Sequence, residues 1–145
     1  MGKASRQFHK VGPTVWRSRR FLALTNDQRL LWFYFSTGPH QTSAGCCMVP
    51  PAYAVADLGW TREHYESCLD ALSVADLISH DEETNEIYVC RWFQTSPPTN
   101  AKHAAGIASN IYKLDSRKVS EKAEAEFLET EWGAQFVGNP SIASR

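Results

Sequence analysis

The sequence predicts an α+β fold of winged helix-turn-helix type: a three-helix core, a small antiparallel sheet and a C-terminal helical extension. Three observations predict it. Two helical stretches, residues 52–58 and 61–76, are separated by little more than Gly59 and Trp60, the spacing of a helix-turn-helix. Two strand-like runs, 77–80 and 86–92, flank the polar turn Asp81-Glu82-Glu83-Thr84-Asn85. A longer helix and a short strand precede both pairs. The resulting order is helix, strand, helix, turn, helix, strand, turn, strand.

Each element has a local reason. Residues 1–13 read as a flexible basic arm that ends at Gly12-Pro13, and Trp16, Phe21 and Leu24 follow as anchors to the core. Thr25-Asn26-Asp27-Gln28 is a capping box, in which the Thr hydroxyl accepts from the third helical amide and Gln28 reaches back. The run Arg29 to Phe35 has strand propensity, but the cap before it and Thr37-Gly38-Pro39 after it predict a helix of about three turns. Apolar residues on all its sides predict deep burial of this central helix. After the loop 38–45, Cys46-Cys47-Met48-Val49 reads as a short strand. Pro50-Pro51 then opens the second helix, where a missing amide costs nothing.

Thr61 caps the third helix, in which Tyr65, Cys68, Leu69 and Leu72 recur at i, i+3, i+4 and i+7. These elements make a domain over residues 14–95. Residues 96–133 form the helical extension, opened by Ser96-Pro97-Pro98-Thr99-Asn100, with Asn100 as a cap. Ala104, Ile107, Ala108, Ile111 and Leu114 share one face of its first helix. That stripe packs on the sheet or pairs with a second copy in a homodimer. A second helical stretch, 118–132, turns Val119, Ala123, Phe127 and Leu128 inward. Fraying is expected from Gly133, with residues 134–145 a flexible tail.

Composition narrows the function classes. The 145 residues are 43% apolar and 21% charged, as in one compact domain. A domain of this size buries about 68–70% of its unfolded surface and needs neither disulfides nor metal to hold a core. The longest apolar run, Leu30 to Phe35, is too short to span a bilayer. The opening residues lack the apolar stretch of a secretory signal, and Arg6 stands where a myristoylation motif wants Ser or Thr. A cytoplasmic protein with no membrane partner is expected. Cys46, Cys47, Cys68 and Cys90 lie among apolar neighbours with no C-x-x-C pair, so they read as reduced core thiols.

The net charge of −1 hides an asymmetry. Residues 1–35 carry seven Lys or Arg against one Asp, whereas residues 36–100 carry two Arg against nine acids. An anionic partner is therefore expected to meet the N-terminal segment.

Trp16, Phe21, Leu24 and Arg29-Leu30-Leu31, then Gly45 before the short strand, then Ala56-Asp57-Leu58-Gly59-Trp60 resemble the winged-helix domain of phage replisome organisers. Leu72, Leu77-Ile78, Asp81-Glu82-Glu83-Thr84, Val89, Trp92 and Pro97-Pro98-Thr99-Asn100 extend the likeness to roughly residues 14–114. The group includes relatives of DnaD-like primosome proteins. The resemblance implies non-catalytic binding to DNA during replication initiation and recruitment of a replicative helicase.

The candidate nucleic-acid contacts follow. Arg17, Arg19 and Arg20, joined by Lys3, Arg6 and Lys10, suit a phosphate backbone, with Trp16 and His9 near enough to stack on a base. Their bland reading is a solvated basic arm. Thr61, Arg62, His64 and Ser67 are the third-helix residues suited to polar contact, and Asn85 sits at the turn. Against them, Thr61 serves as a cap, Arg62 as a surface charge and Asn85 as a turn former. The third helix also carries Glu63, Glu66 and Asp70, and the turn carries Glu82 and Glu83. Carboxylates beside phosphates cost affinity.

Those five acids define the alternative, a protein-interaction module that keeps the fold and offers an acidic surface to a basic partner. In that case the chain is a phage-encoded inhibitor or adaptor of a host or defence nucleic-acid enzyme. His64 and Cys68 have a zinc-compatible spacing, yet Cys68 belongs to the core stripe, so no metal is expected. Without a phosphate loop, a nucleophile elbow or an H-E-x-x-H motif, neither catalysis nor a cofactor is expected.

Overall fold

A computed structural model describes residues 8–136, so most of the expected N-terminal arm (1–7) and C-terminal tail (137–145) lies outside the described residues. The architecture is α+β, several helices with one three-stranded antiparallel sheet. A 3-10 turn (Pro13–Arg17) and α1 (Arg19–Leu22) lead into α2 (Asn26–Thr37), β1 (Cys46–Met48), α3 (Pro51–Leu58) and α4 (Arg62–Val74). Then come β2 (Ile78–Asp81), β3 (Glu86–Val89), α5 (Trp92–Thr95), α6 (Ala101–Tyr112), α7 (Arg117–Leu128) and a closing 3-10 turn (Gly133–Phe136). No helix among the described residues is long and apolar enough to cross a membrane.

Strand order is β1-β3-β2, with Cys46 opposite Tyr88 and Ile78 opposite Val89. Side chains alternate along β3, so Glu86 and Tyr88 share one face while Ile87 and Val89 share the other. All four are buried, because α7 covers the sheet on the Glu86 and Tyr88 side. The central strand is therefore enclosed on both faces.

The helix starts follow the local chemistry. The Thr25 hydroxyl accepts from the Gln28 amide at 3.2 Å, and the Gln28 side chain accepts from the Thr25 amide at 3.0 Å. Thr61 and Asn100 cap α4 and α6 in the same manner. Each such cap contributes about 1 kcal/mol. Tyr65, Cys68, Leu69 and Leu72 are all buried, and α3 closes on Gly59 in the left-handed region at φ 71°. In α6, Ala104, Ile107 and Ile111 are fully buried within the single chain.

Several expectations change. The central helix α2 is not deeply enclosed. Only Leu31, Phe35 and Ser36 are buried, and Leu30 is 47% exposed. Its aromatic residues instead roof the N-terminal segment, Phe21 lying edge-on to both Trp32 and Phe33. The strand expected over 86–92 stops at Val89. Arg91 adopts φ 63°, and its amide donates to the Glu126 carboxylate at 2.6 Å. The chain turns there and drives Trp92 and Phe93 into the core as the start of α5. Trp92 donates its indole N–H to the Ser43 carbonyl at 3.1 Å. A Cβ on Gly45 would lie 2.4 Å from that indole, so glycine is required there.

Residues 13–22, expected only to supply anchors, form the two short helical turns. At the C-terminal end, where fraying was expected from Gly133, Phe136 packs on Phe127 at 5.5 Å. The four cysteines form no disulfide and are buried, and burial pushes the Cys47 thiol up to about 12 and Cys90 to about 11. Neither is a thiolate nucleophile near neutral pH.

Candidate nucleic-acid and partner interface

The predicted contact residues fall into three groups. Arg17, Arg19 and Arg20 are exposed on the 3-10 turn and α1, held in place by Phe21, which is wholly buried. The Arg17 guanidinium donates to the Trp16 carbonyl at 3.1 Å. Among the described residues none of the three is paired with a carboxylate, whereas Arg62, Arg91, Arg117 and Lys122 all are. Trp16 is 48% exposed and leans edge-on against Phe21 at 5.4 Å. His9 rests elsewhere, against Trp92 at 5.8 Å, so the two rings have different supports.

A second group sits at the start of α4. Thr61 accepts from the His64 amide at 3.1 Å, which accounts for its hydroxyl as a cap. His64 Nε2 meets the Asp27 carboxylate of α2 at 2.7 Å, and its ring stands against Trp60 at 4.7 Å. Cys68 Sγ is 3.8 Å from the same nitrogen. Among the described residues no three His, Cys, Asp or Glu side chains are arranged to hold a metal ion. Ser67 and Glu63 are exposed on α4.

The third group converges on a groove of about 410 Å³ between α4 and the β2–β3 turn. Arg62, Glu66, Asp70, Glu82 and Asn85 line it together with His80 and Tyr65. Arg62 is neutralised by Glu66 at 3.0 Å, which leaves Asp70 and Glu82 uncompensated there. His80 adds no charge at neutral pH, because burial and the neighbouring Lys118 lower its pKa. The groove is therefore electronegative.

Asn85 takes the left-handed conformation at φ 59°, and its carbonyl accepts from the Val49 amide at 2.9 Å. That makes it a turn former as well as a lining residue. Beside it, the Ser116 hydroxyl and the amides of Glu83 and Thr84 hold the Asp81 carboxyl below the ordinary range. Glu83 is exposed on the turn and does not line the groove.

A cavity of about 270 Å³ that local patterns do not signal opens at the opposite end of the sheet. Its walls come from the N-terminal segment, α2 and the β3–α5 junction, and include Arg20, Trp32, Ser36, Leu77, Val89 and Arg91. Three residue steps of extended chain, about 10 Å, separate Leu77 at this end from His80 in the groove. The two hollows have no lining residue in common. Comparison of the chain with protein-family models, curated proteins and solved structures finds no match.

Proposed function

We propose that the chain is a winged helix-turn-helix protein that binds nucleic acid without catalysis, of the type found in phage replisome organisers. The element order supports the fold: α2, β1, α3, α4, then the β2–β3 hairpin, with three residues between α3 and α4. One observation carries the function. Arg17, Arg19 and Arg20 stand exposed on one short segment, with no carboxylate partner among the described residues, beside the half-exposed Trp16 ring. Phosphates are contacted there rather than in the α4 groove, where Asp70 and Glu82 oppose a polyanion.

The experiment is a salt titration of DNA affinity. Each phosphate contact contributes about 0.7–0.9 to the logarithmic salt slope, so replacing all three arginines by Ala flattens it by roughly 2–3. Equal affinity of the triple variant and the parent at every salt concentration refutes the proposal.

The acidic groove favours a second reading, in which it takes a cationic segment of a protein partner such as a replicative helicase or another host enzyme. Asp70 and Glu82 are the charges available to such a segment.

A further inference from the structure

We propose that the cavity beside Arg20 binds a small ring-bearing anion, with a hydrogen-bond acceptor of the ring on Trp32 and Ser36 and the negative group on Arg20 and Lys10. The deep wall carries the first observation. Ser36 is 2% exposed and its hydroxyl has no partner among the described residues, and the Trp32 indole N–H is likewise buried without one. The two residues are four apart on α2, so they face the same way, and both line the cavity. Buried polar groups in folded proteins are almost always satisfied, so a pair left open on one wall calls for a ligand atom or an ordered water.

Charge is the second observation. Lys10, Arg20 and Arg91 line the cavity and no carboxylate does. Arg91 is already held by the carbonyl and carboxylate of Asp76, which leaves Arg20 and Lys10, both exposed, as the cations at the mouth. The remaining lining is mixed, with the apolar Val15, Phe21, Leu77 and Val89 beside the neutral polar Thr14, Ser18, Gln94 and Thr95.

Size is the third. A dry apolar cavity of about 150 Å³ holds a benzene ring. The 270 Å³ here holds one ring, with a remainder equivalent to roughly four waters for an acidic group. The chemistry is that of a hydroxylated aromatic carboxylate, or of a pyrimidine nucleotide whose base alone enters while its sugar and phosphate lie outside on the exposed Arg20 and Lys10. This site goes beyond the phosphate contacts proposed above, since Arg17 and Arg19 do not line it.

The test is calorimetric titration of the full chain with 4-hydroxybenzoate and, separately, thymidine 5′-monophosphate, while the indole N–H resonance of Trp32 is followed by NMR. One-to-one binding with a Kd below about 1 mM and a shift of that resonance is expected. Arg20→Gln weakens it at least tenfold, Ser36→Ala weakens it severalfold, and Lys102→Gln, on the exposed side of α6, leaves it unchanged. Binding of the benzoate alone identifies a free carboxylate as the source, and binding of the monophosphate alone identifies a nucleotide. If neither binds, or if binding ignores both Arg20→Gln and Ser36→Ala, the cavity holds only water and the proposal fails. DNA binding that persists in that event leaves the nucleic-acid reading standing.

Discussion

Glu86 is a carboxylate in the middle of the sheet, 7% exposed, and it acts as an external cap for a helix thirty residues later. Its two oxygens accept from the amides of Asp115 and Ser116 at 2.9 and 2.7 Å, just before the first turn of α7, where amides lack intrahelical partners. Ser116 adds a second tie, donating its hydroxyl to Asp81 at 2.7 Å and accepting from the Val119 amide at 3.1 Å. Removing the carboxylate orphans the buried Ser116 amide and the half-buried Asp115 amide. Glu86→Ala is expected to lower unfolding stability by about 2–3 kcal/mol, since hydrogen bonds to a charged group contribute about 1.5–3. Glu86→Gln, which keeps one acceptor, should lose less. Urea denaturation measures both, with an unchanged m-value marking an effect on the folded state.

His80, on the neighbouring strand, sets a pH dependence of definite sign. Its folded pKa lies below the ordinary 6.5, because burial and Lys118 disfavour its charged form. The unfolded chain therefore takes up the proton first, and stability declines as pH falls through 6.5 towards the folded value. His80→Gln should remove that decline. Asp81 acts at lower pH. Its folded pKa is depressed below 3.8, so its contribution is complete above that value and is lost as pH falls through the folded one. Denaturation curves between pH 7 and pH 5 isolate His80 from Asp81.

At the scale of elements, the junction of β3, α5 and α7 depends on Glu126. One of its oxygens accepts from the Tyr88 hydroxyl at 2.7 Å and from the Arg91 amide at 2.6 Å, closing β3 and opening α5 together. Glu126→Ala leaves both donors without that acceptor. Hydrogen exchange at Arg91 and Trp92 is expected to quicken at least tenfold, with α4 amides changed much less. Uniform loss of protection would place the tie in global stability instead.

This junction also shows which parts of the fold could be read in advance. Caps at Thr25, Thr61 and Asn100 are legible because the accepting side-chain oxygen and the donating backbone amide lie three residues apart. The buried stripe of α4 is legible because its period is its own. The end of β3 is not, since Arg91 is turned by a carboxylate 35 positions away. For α2, an unbroken run of large apolar residues looks the same whether a helix is enclosed or covers a neighbour on one side. Leu30 lies on the open side. The candidate site divides in the same way. Its residue types were visible, but the convergence of Arg62, Glu66, Asp70, Glu82 and Asn85 on one groove, and the exclusion of Arg17 and Arg19 from it, required the fold.

Over the whole molecule, a net charge of −1 is the sum of two poles. The arginines of the 3-10 turn and α1 carry the positive one, and the groove between α4 and the hairpin carries the negative one. Screening at physiological salt has a length of about 8 Å, so charges farther apart than this act on a bound polyanion almost independently. The pair Asp70→Asn and Glu82→Gln turns that separation into a measurement. If nucleic acid sits on the arginines and away from the groove, the double variant should change DNA affinity less than threefold and leave its salt slope intact. In the partner reading, the same variant should abolish binding of a lysine-rich peptide that the parent retains. Should the parent ignore the peptide altogether, the groove has no cationic partner of that kind. A gain of tenfold or more in DNA affinity would mean that phosphates approach α4 closely enough to be repelled by Asp70 and Glu82, and the phosphate track would have to be redrawn through the groove.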